Sequence, residues 1–244
     1  MNVFIITPTI GTDHLLENLK SVQKQDYPNL EHVVVVDGKQ YTEDVAKMIE
    51  SLGEQKVPIT QINIPWNTGR DKFNGHKIYA AVSHLIHKPA YVSFLDEDNF
   101  VEPDHISSMV NALVKENCLW GFCLRNVVEQ SGKFVCRDMC ESLGTLSPTW
   151  ISQSDYLIDM SCYIISVDIL HMLSHSLQRP ARSNPEVDRL LFRNLNHHFK
   201  KSACSMKYTL NYRVDSRGDS VTGGFFIQGN KVMNQRYNNS IPWN

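Results

Sequence analysis

The densest group of chemistry-bearing residues is Asp96-Glu97-Asp98, which closes the apolar run Tyr91-Val92-Ser93-Phe94-Leu95. A hydrophobic strand ending in Asp-x-Asp sets two carboxylates at one edge of a sheet, both able to face a single cation. Hard divalent ions such as Mg2+ or Mn2+ take one or two carboxylates and complete their shell with phosphate oxygens and water. Without a cation, three neighbouring acids repel one another. The plainer alternative is a solvated acidic turn that caps a helix beginning near Pro103. Residues 96–104 carry five acids (Asp96, Glu97, Asp98, Glu102, Asp104) and no base, whereas residues 196–217 carry five bases (Lys200, Lys201, Lys207, Arg213, Arg217) and one acid, Asp215. The formal net charge of −2 hides that asymmetry. A near-neutral total argues against a protein that grips nucleic acid through a broad basic face.

Something must hold those residues in place. Short apolar runs recur at about thirty-residue intervals, the length of a βαβ unit: residues 3–7, 32–36, 59–64 and 91–95. Val33-Val34-Val35-Val36 is wholly β-branched, without alternation, as befits a parallel strand covered on both faces. Between the runs lie stretches of helical periodicity at 14–24, 42–52 and 75–87. The alternation predicts a doubly wound α/β half. Beyond residue 105 the pattern loosens. It predicts a helix at 106–116, a hairpin of 119–128 with 133–137, a strand at 160–167, helices at 169–177 and 185–199, and a last strand at 208–212. No linker or repeat divides the 244 residues, so one domain is expected, with halves at 1–105 and 106–244.

Ligands of open α/β sheets gather beyond the carboxyl ends of the strands. Every one of the four N-terminal runs is followed there by polar residues: Thr7-Pro8-Thr9-Ile10-Gly11-Thr12-Asp13, then Asp37-Gly38, then Trp66-Asn67-Thr68-Gly69-Arg70-Asp71-Lys72, then the acidic triplet. Taken singly, each reads as a turn and helix cap. Taken together, they predict a polar ligand across that edge. The glycines form neither G-x-G-x-x-G nor a P-loop, and there is no nucleophile elbow or H-E-x-x-H. The six cysteines are too sparse for a disulfide framework, and Cys136-x3-Cys140 lacks a second pair at zinc-site spacing. No run approaches bilayer length and no basic leader precedes the first strand, so the expected setting is cytoplasmic.

The combination of Phe4-Ile5-Ile6-Thr7-Pro8-Thr9, Ser21-Val22 with Asp26-Tyr27-Pro28, Val34-Val35-Val36-Asp37-Gly38 and Phe94-Leu95-Asp96-Glu97-Asp98 resembles the family 2 glycosyltransferases of GT-A fold. The likeness covers about the first 105 residues. Glu186-Val187-Asp188-Arg189 resembles the family's acidic helix start more loosely, and Asn211–Val221 (residues 211–221) is similar to its closing loop. The sequence departs from the family pattern at Asp37-Gly38-Lys39-Gln40, where Asp-Asp-x-Ser is usual.

The resemblance implies a Rossmann-like α/β fold with a mostly parallel central sheet and an irregular C-terminal half. It implies an enzyme that moves a sugar, with inversion, from a nucleoside diphosphate sugar (a UDP-sugar first) to a hydroxyl acceptor such as a glycan. Thr7, Pro8 and Thr9 would line the nucleotide pocket, Asp37 would accept from base or ribose, and Arg70 or Lys72 would lie near base or diphosphate. Asp96 would face the ribose and sugar, and Asp98, with Asp96, would hold Mn2+ or Mg2+. Asp188, or else Glu186, would be the base that deprotonates the acceptor; either acid also suits a helix N-terminus without further duty. Arg213 and Arg217 would flank a loop closing over the diphosphate. Trp150 and Asp155 would meet the acceptor, although Trp150 and Tyr156 suit a core equally well. Two alternatives stand beside this reading. A sugar-phosphate nucleotidyltransferase shares the architecture but needs a Gly-rich, Arg-containing first loop, and a degenerate carbohydrate-binding or scaffolding module would need no catalytic acids.

Overall fold

The computed structural model describes residues 1–70, 73–87, 89–178, 186–215 and 221–244. The N-terminal alternation folds as its periodicity requires: β1 (Asn2–Thr9), α1 (Leu15–Gln23), β2 (Leu30–Asp37), α2 (Thr42–Glu50), β3 (Ile59–Ile64), α3 (His76–Ser83) and β4 (Ala90–Phe94). β1 pairs in parallel with β2 on one side and β4 on the other, and β2 pairs in parallel with β3. Val33, Val34, Val35 and Val36 are all buried, because helices cover both faces of the strand. The order β3-β2-β1-β4 places a topological switch between β1 and β4, where the connections leave in opposite directions and a crevice opens at the strand ends. The acidic triplet falls at that crevice.

The C-terminal half extends the same sheet with different pairings. It comprises β5 (Phe100–Val101), α4 (His105–Glu116), β6 (Trp120–Val128), β7 (Phe134–Arg137), β8 (Tyr163–Ser166), α5 (Val167–Leu173), α6 (Glu186–His198), β9 (Ala203–Arg213) and α7 (Gly223–Arg236). β8 runs antiparallel to β4 and to β6, β6 pairs in parallel with β9 and antiparallel with β7, and β5 is antiparallel to β9. The sheet is therefore mixed, with its parallel part concentrated around β1. The antiparallel β8 matters for function: its N-terminal end abuts the C-terminal end of β4, which brings residues 159–161 beside the acidic triplet.

Several elements differ from the periodicity, among them β5, for which it predicts nothing, and β9, which begins five residues before the expected strand. The strand expected at 160–167 is a single 3-10 turn, Met160–Cys162, leading into the shorter β8. α7 has no counterpart in the sequence pattern, because Gly223-Gly224 at its start weigh against a helix and its apolar residues form no clear stripe. Thr222 caps it by accepting from the Phe225 amide, and Phe226 and Met233 bury it against a second core cluster with Leu124, Val127 and Leu143. Among the described residues, no helix is long and apolar enough to cross a membrane.

Candidate active site

The three acids at the end of β4 do not point one way. Glu97 is buried and faces β1, where its Oε2 accepts the Thr9 hydroxyl at 2.6 Å and the amides of Ile10 and Thr12 at 3.3 Å each. Burial raises its pKa against the pull of those donors. Asp96 and Asp98, two residues apart, are left half-buried at the crevice. Asp96 Oδ1 accepts the Tyr79 hydroxyl at 2.7 Å and Oδ2 accepts from Ser161 at 3.4 Å. The Tyr79 phenol is pushed well above its usual pKa by burial and by the Asp96 carboxylate, so it remains a donor. The turn itself is clamped on the backbone. Asn18 of α1 donates to the carbonyls of Asp96 and Asn99 at 3.0 Å each, and the Asp96 amide donates to Ser161 Oγ at 3.0 Å.

Arg213, expected to reach a diphosphate, is occupied elsewhere. It is buried at the end of β9 and four of its five N–H groups are taken: Nε by the Asp98 carbonyl at 2.9 Å, Nη1 by the carbonyls of Glu129 and Gln130, and Nη2 by Glu17 Oε2 at 2.5 Å. It fixes the acidic turn against α1 and the β6–β7 connection. Arg217 and Lys72, assigned the same phosphate role by resemblance, lie outside the described residues. Arg70 is described and exposed.

The residues expected to meet the nucleotide are likewise drawn into the scaffold. Thr7 Oγ1 lies 2.9 Å from His32 Nε2 inside the sheet, and burial pushes the His32 pKa down to about 3, leaving it neutral. The Pro8 ring sits beneath the start of α3, where a Cβ on Gly75 would stand 2.7 Å from it. The Thr9 hydroxyl is spent on Glu97. Asp37 Oδ1 and Oδ2 accept the amides of Thr68 (2.6 Å) and Gly69 (2.9 Å), tying the β3–α3 loop to the end of β2. A carboxylate oxygen has room for a second donor, but the first duty of Asp37 is to hold that loop.

Across the crevice, burial and the charges of Asp159 and Asp96 raise the pKa of Asp188, near the start of α6, well above the usual carboxylate range. The side chain of Glu186 lies outside what is described. A charge network missed by the sequence reading backs this side. Arg125 of β6 donates to Asp138 at 2.7 Å and to Asp159 at 2.6 Å, and its guanidinium lies over the Tyr212 ring at 4.1 Å. Asp138 further accepts three backbone amides, from Cys140, Glu141 and Ser142. Asp159 caps the 3-10 turn that carries Ser161. The one sequence signal was Arg125 itself, a charge inside an apolar strand, which requires a buried partner. Glu141, buried beside Asp138, has its pKa pushed up to about 7 by burial and that neighbour.

Of the residues expected at the acceptor, Asp155 takes the Arg189 fork, Nε at 2.7 and 2.8 Å and Nη2 at 2.6 Å. Trp150 packs edge-on against Phe225, centroids 5.2 Å apart, and closely over Gly229 of α7. That is the core alternative for Trp150.

Among the described residues no three His, Cys, Asp or Glu side chains form a ready-made metal cage. Asp96 and Asp98 supply hard oxygen ligands in the small number that Mg2+ or Mn2+ uses when a diphosphate completes the shell. The donor set therefore fits such an ion held jointly with a nucleotide.

The fold, with its acid-tipped β4 at the switch point, is that of the GT-A glycosyltransferases. The family model described as glycosyl transferase family 2 matches residues 4–155, and the chain belongs to that family. Solved structures share the fold. S. aureus TarS, residues 1–349, is 18% identical with a TM-score of 0.62 over 87% of this chain and 60% of that one. The same TarS segment in complex with UDP-GlcNAc is 16% identical with a TM-score of 0.61, over 99% and 67%. The mannosyltransferase PcManGT from Pyrobaculum calidifontis, in complex with GDP-Man and Mn2+, is 16% identical with a TM-score of 0.56, over 89% and 58%. The chain thus spans about three-fifths of the TarS segment's length. No curated protein sequence matches it.

Proposed function

We propose that this chain transfers a sugar from a UDP-linked donor to a hydroxyl of a glycan-type acceptor, with inversion at the anomeric carbon. What supports the reading is the position of Asp96 and Asp98 at the switch point, with Asp188 near enough that the Asp96 charge raises its pKa. Membership of the family and neighbours solved with UDP, UDP-GlcNAc and GDP-Man support the donor class.

In this reading the nucleotide lies over the ends of β1 and β2, contacted mainly by backbone because the Thr7 and Thr9 hydroxyls are engaged. Arg70, on the loop that Asp37 anchors, approaches the diphosphate. Asp98 is the principal ligand for Mn2+ or Mg2+, with Asp96 beside it. When bound, such an ion neutralises the charge that builds on the departing diphosphate. Asp96, held by Tyr79 and Ser161, is oriented toward the ribose and sugar. Asp188 takes the acceptor hydroxyl proton while that oxygen bonds to the anomeric carbon and the carbon–diphosphate bond breaks, its electron pair leaving with the nucleotide. The Arg125 network holds Asp159 behind it.

The test is ligand-dependent stabilisation. UDP with Mn2+ should raise the melting temperature, since a ligand that binds only the folded state stabilises it. No shift with any common nucleoside diphosphate, with or without the ion, would refute the donor assignment.

A further inference from the structure

We propose that the groove between residues 154–156 and α6 is the acceptor site and that it selects an anionic glycan, one bearing phosphate diester or carboxylate groups; the acceptor role rests on the transferase reading above. The groove has a volume of about 420 Å³, and its walls include Asp155, Tyr156, Arg189, Phe192, Arg193 and Lys200. Its charge is one-sided. Among the described residues its single acid, Asp155, is already matched by the Arg189 fork. Arg193, His197 and Lys200 are exposed along the rest of the wall. Arg189, Arg193 and His197 recur every four residues on α6 and so share one stripe, about 12 Å long at 1.5 Å per residue. Between the cations, Tyr156 lies parallel to Phe192, with centroids 6.0 Å apart and planes at 13°. Phe192 is buried beneath it, so the outer face of Tyr156 is what offers a flat apolar surface for the C–H face of a sugar ring.

Position decides what the stripe is for. It begins at Arg189, adjacent in the chain to Asp188, and leads away from an edge crowded with Asp96, Asp98, Asp159 and Asp188. An anionic chain is repelled by that edge and attracted by the stripe. The two fields together present a hydroxyl to Asp188 while keeping the chain's own charges at a distance. A neutral glycan would gain nothing from two exposed cations, Arg193 and Lys200, whereas phosphate or carboxylate groups gain charge-assisted hydrogen bonds, bidentate with Arg.

Binding by calorimetry can test this with four probes of equal length: a glycerol-phosphate oligomer, a glucuronate-containing oligosaccharide, a neutral N-acetylglucosamine oligosaccharide and a single-stranded oligonucleotide. The expected result is that at least one anionic glycan binds about tenfold more tightly than the neutral one at low salt, an advantage that shrinks at high salt. The advantage should vanish in the double variant Arg193→Gln, Lys200→Gln, whose melting temperature should match the wild type because both positions are exposed. Comparison of the phosphate and uronate arms identifies which anion is preferred. Equal affinity for the neutral probe, unaltered anion affinity in the variant, no binding by any glycan, or equally tight oligonucleotide binding would overturn the proposal. Wild-type protein that binds the anionic glycan but no nucleoside diphosphate would refute the transferase reading while leaving the selectivity of the groove standing.

Discussion

Thr9, the last residue of β1, donates its hydroxyl to the Glu97 carboxylate at 2.6 Å across 88 positions of sequence. The contact turns the middle acid of Asp96-Glu97-Asp98 toward the first loop, so Asp96 and Asp98 alone remain at the crevice. It also makes the first loop and the acidic turn one mechanical unit, because Glu97 holds the Ile10 and Thr12 amides as well. Glu97→Ala should therefore leave these amides and the Thr9 hydroxyl without their acceptor, at about 1–3 kcal/mol of stability. UDP affinity should weaken in parallel, and Glu97→Gln should recover part of both. Urea unfolding and UDP titration measure the two effects; a variant that binds UDP as tightly as the wild type would contradict the coupling.

Arg125 holds two carboxylates, Asp138 and Asp159, in a region closed to solvent. Removing one partner of a buried ion network strands the others. Arg125→Met should cost about 3–5 kcal/mol of unfolding free energy, and Asp138→Asn, whose NH2 would face the Ser142 amide or the Cys140 and Glu141 amides in place of an acceptor, should also destabilise. An unchanged urea midpoint for Arg125→Met would show that the network carries no such weight.

His32 supplies a pH signature. Its folded pKa of about 3 lies below the ordinary value of 6.5, so the unfolded chain binds the proton more readily. Its contribution to stability is fully present above pH 6.5 and is lost as pH falls from there toward 3, at about 1.4 kcal/mol per unit. The difference in unfolding free energy between wild type and His32→Gln should follow that window. A difference that stays constant from neutral pH to pH 4 would mean that His32 is protonated in the native state.

The legible part of this molecule was the part whose signals are local. Four β-branched residues in a row at 33–36 could only be a strand covered on both sides, and an acidic turn closing the fourth such unit had to fall at the sheet edge. The scaffold partners of Arg213 left no local signal because they are remote: the Asp98 carbonyl is 115 residues away and Glu17 is 196. An arginine beside a glycine-containing segment looks the same whether it grips a phosphate or a carbonyl. Asp159 carries no motif, and its importance comes from the antiparallel pairing of β8 with β4. α7 escaped notice because Gly223-Gly224 oppose it locally and only packing against the second core cluster overrides them.

Trp150 separates two roles that its residue type allows. Packed on Phe225 and Gly229, it should behave as a structural aromatic. Trp150→Ala should destabilise by up to about 3 kcal/mol, below the full cost of a wholly buried aromatic because Trp150 is only partly buried. Acceptor affinity should change little at temperatures where the variant is folded. Intact stability with lost acceptor binding would restore the stacking role.

Asp98, at the tip of β4, is the residue we propose to hold a divalent cation together with the donor diphosphate for transfer. The most direct measurement is release of free UDP from UDP-sugars in the presence of Mn2+ and an acceptor, for wild type and Asp98→Asn. The wild type should release UDP in an ion-dependent manner, and Asp98→Asn should fall by at least about a hundredfold, as expected when a main electrostatic contribution to the transition state is removed, while keeping a wild-type melting temperature. Wild-type rates in Asp98→Asn, or rates indifferent to the ion, would contradict that role.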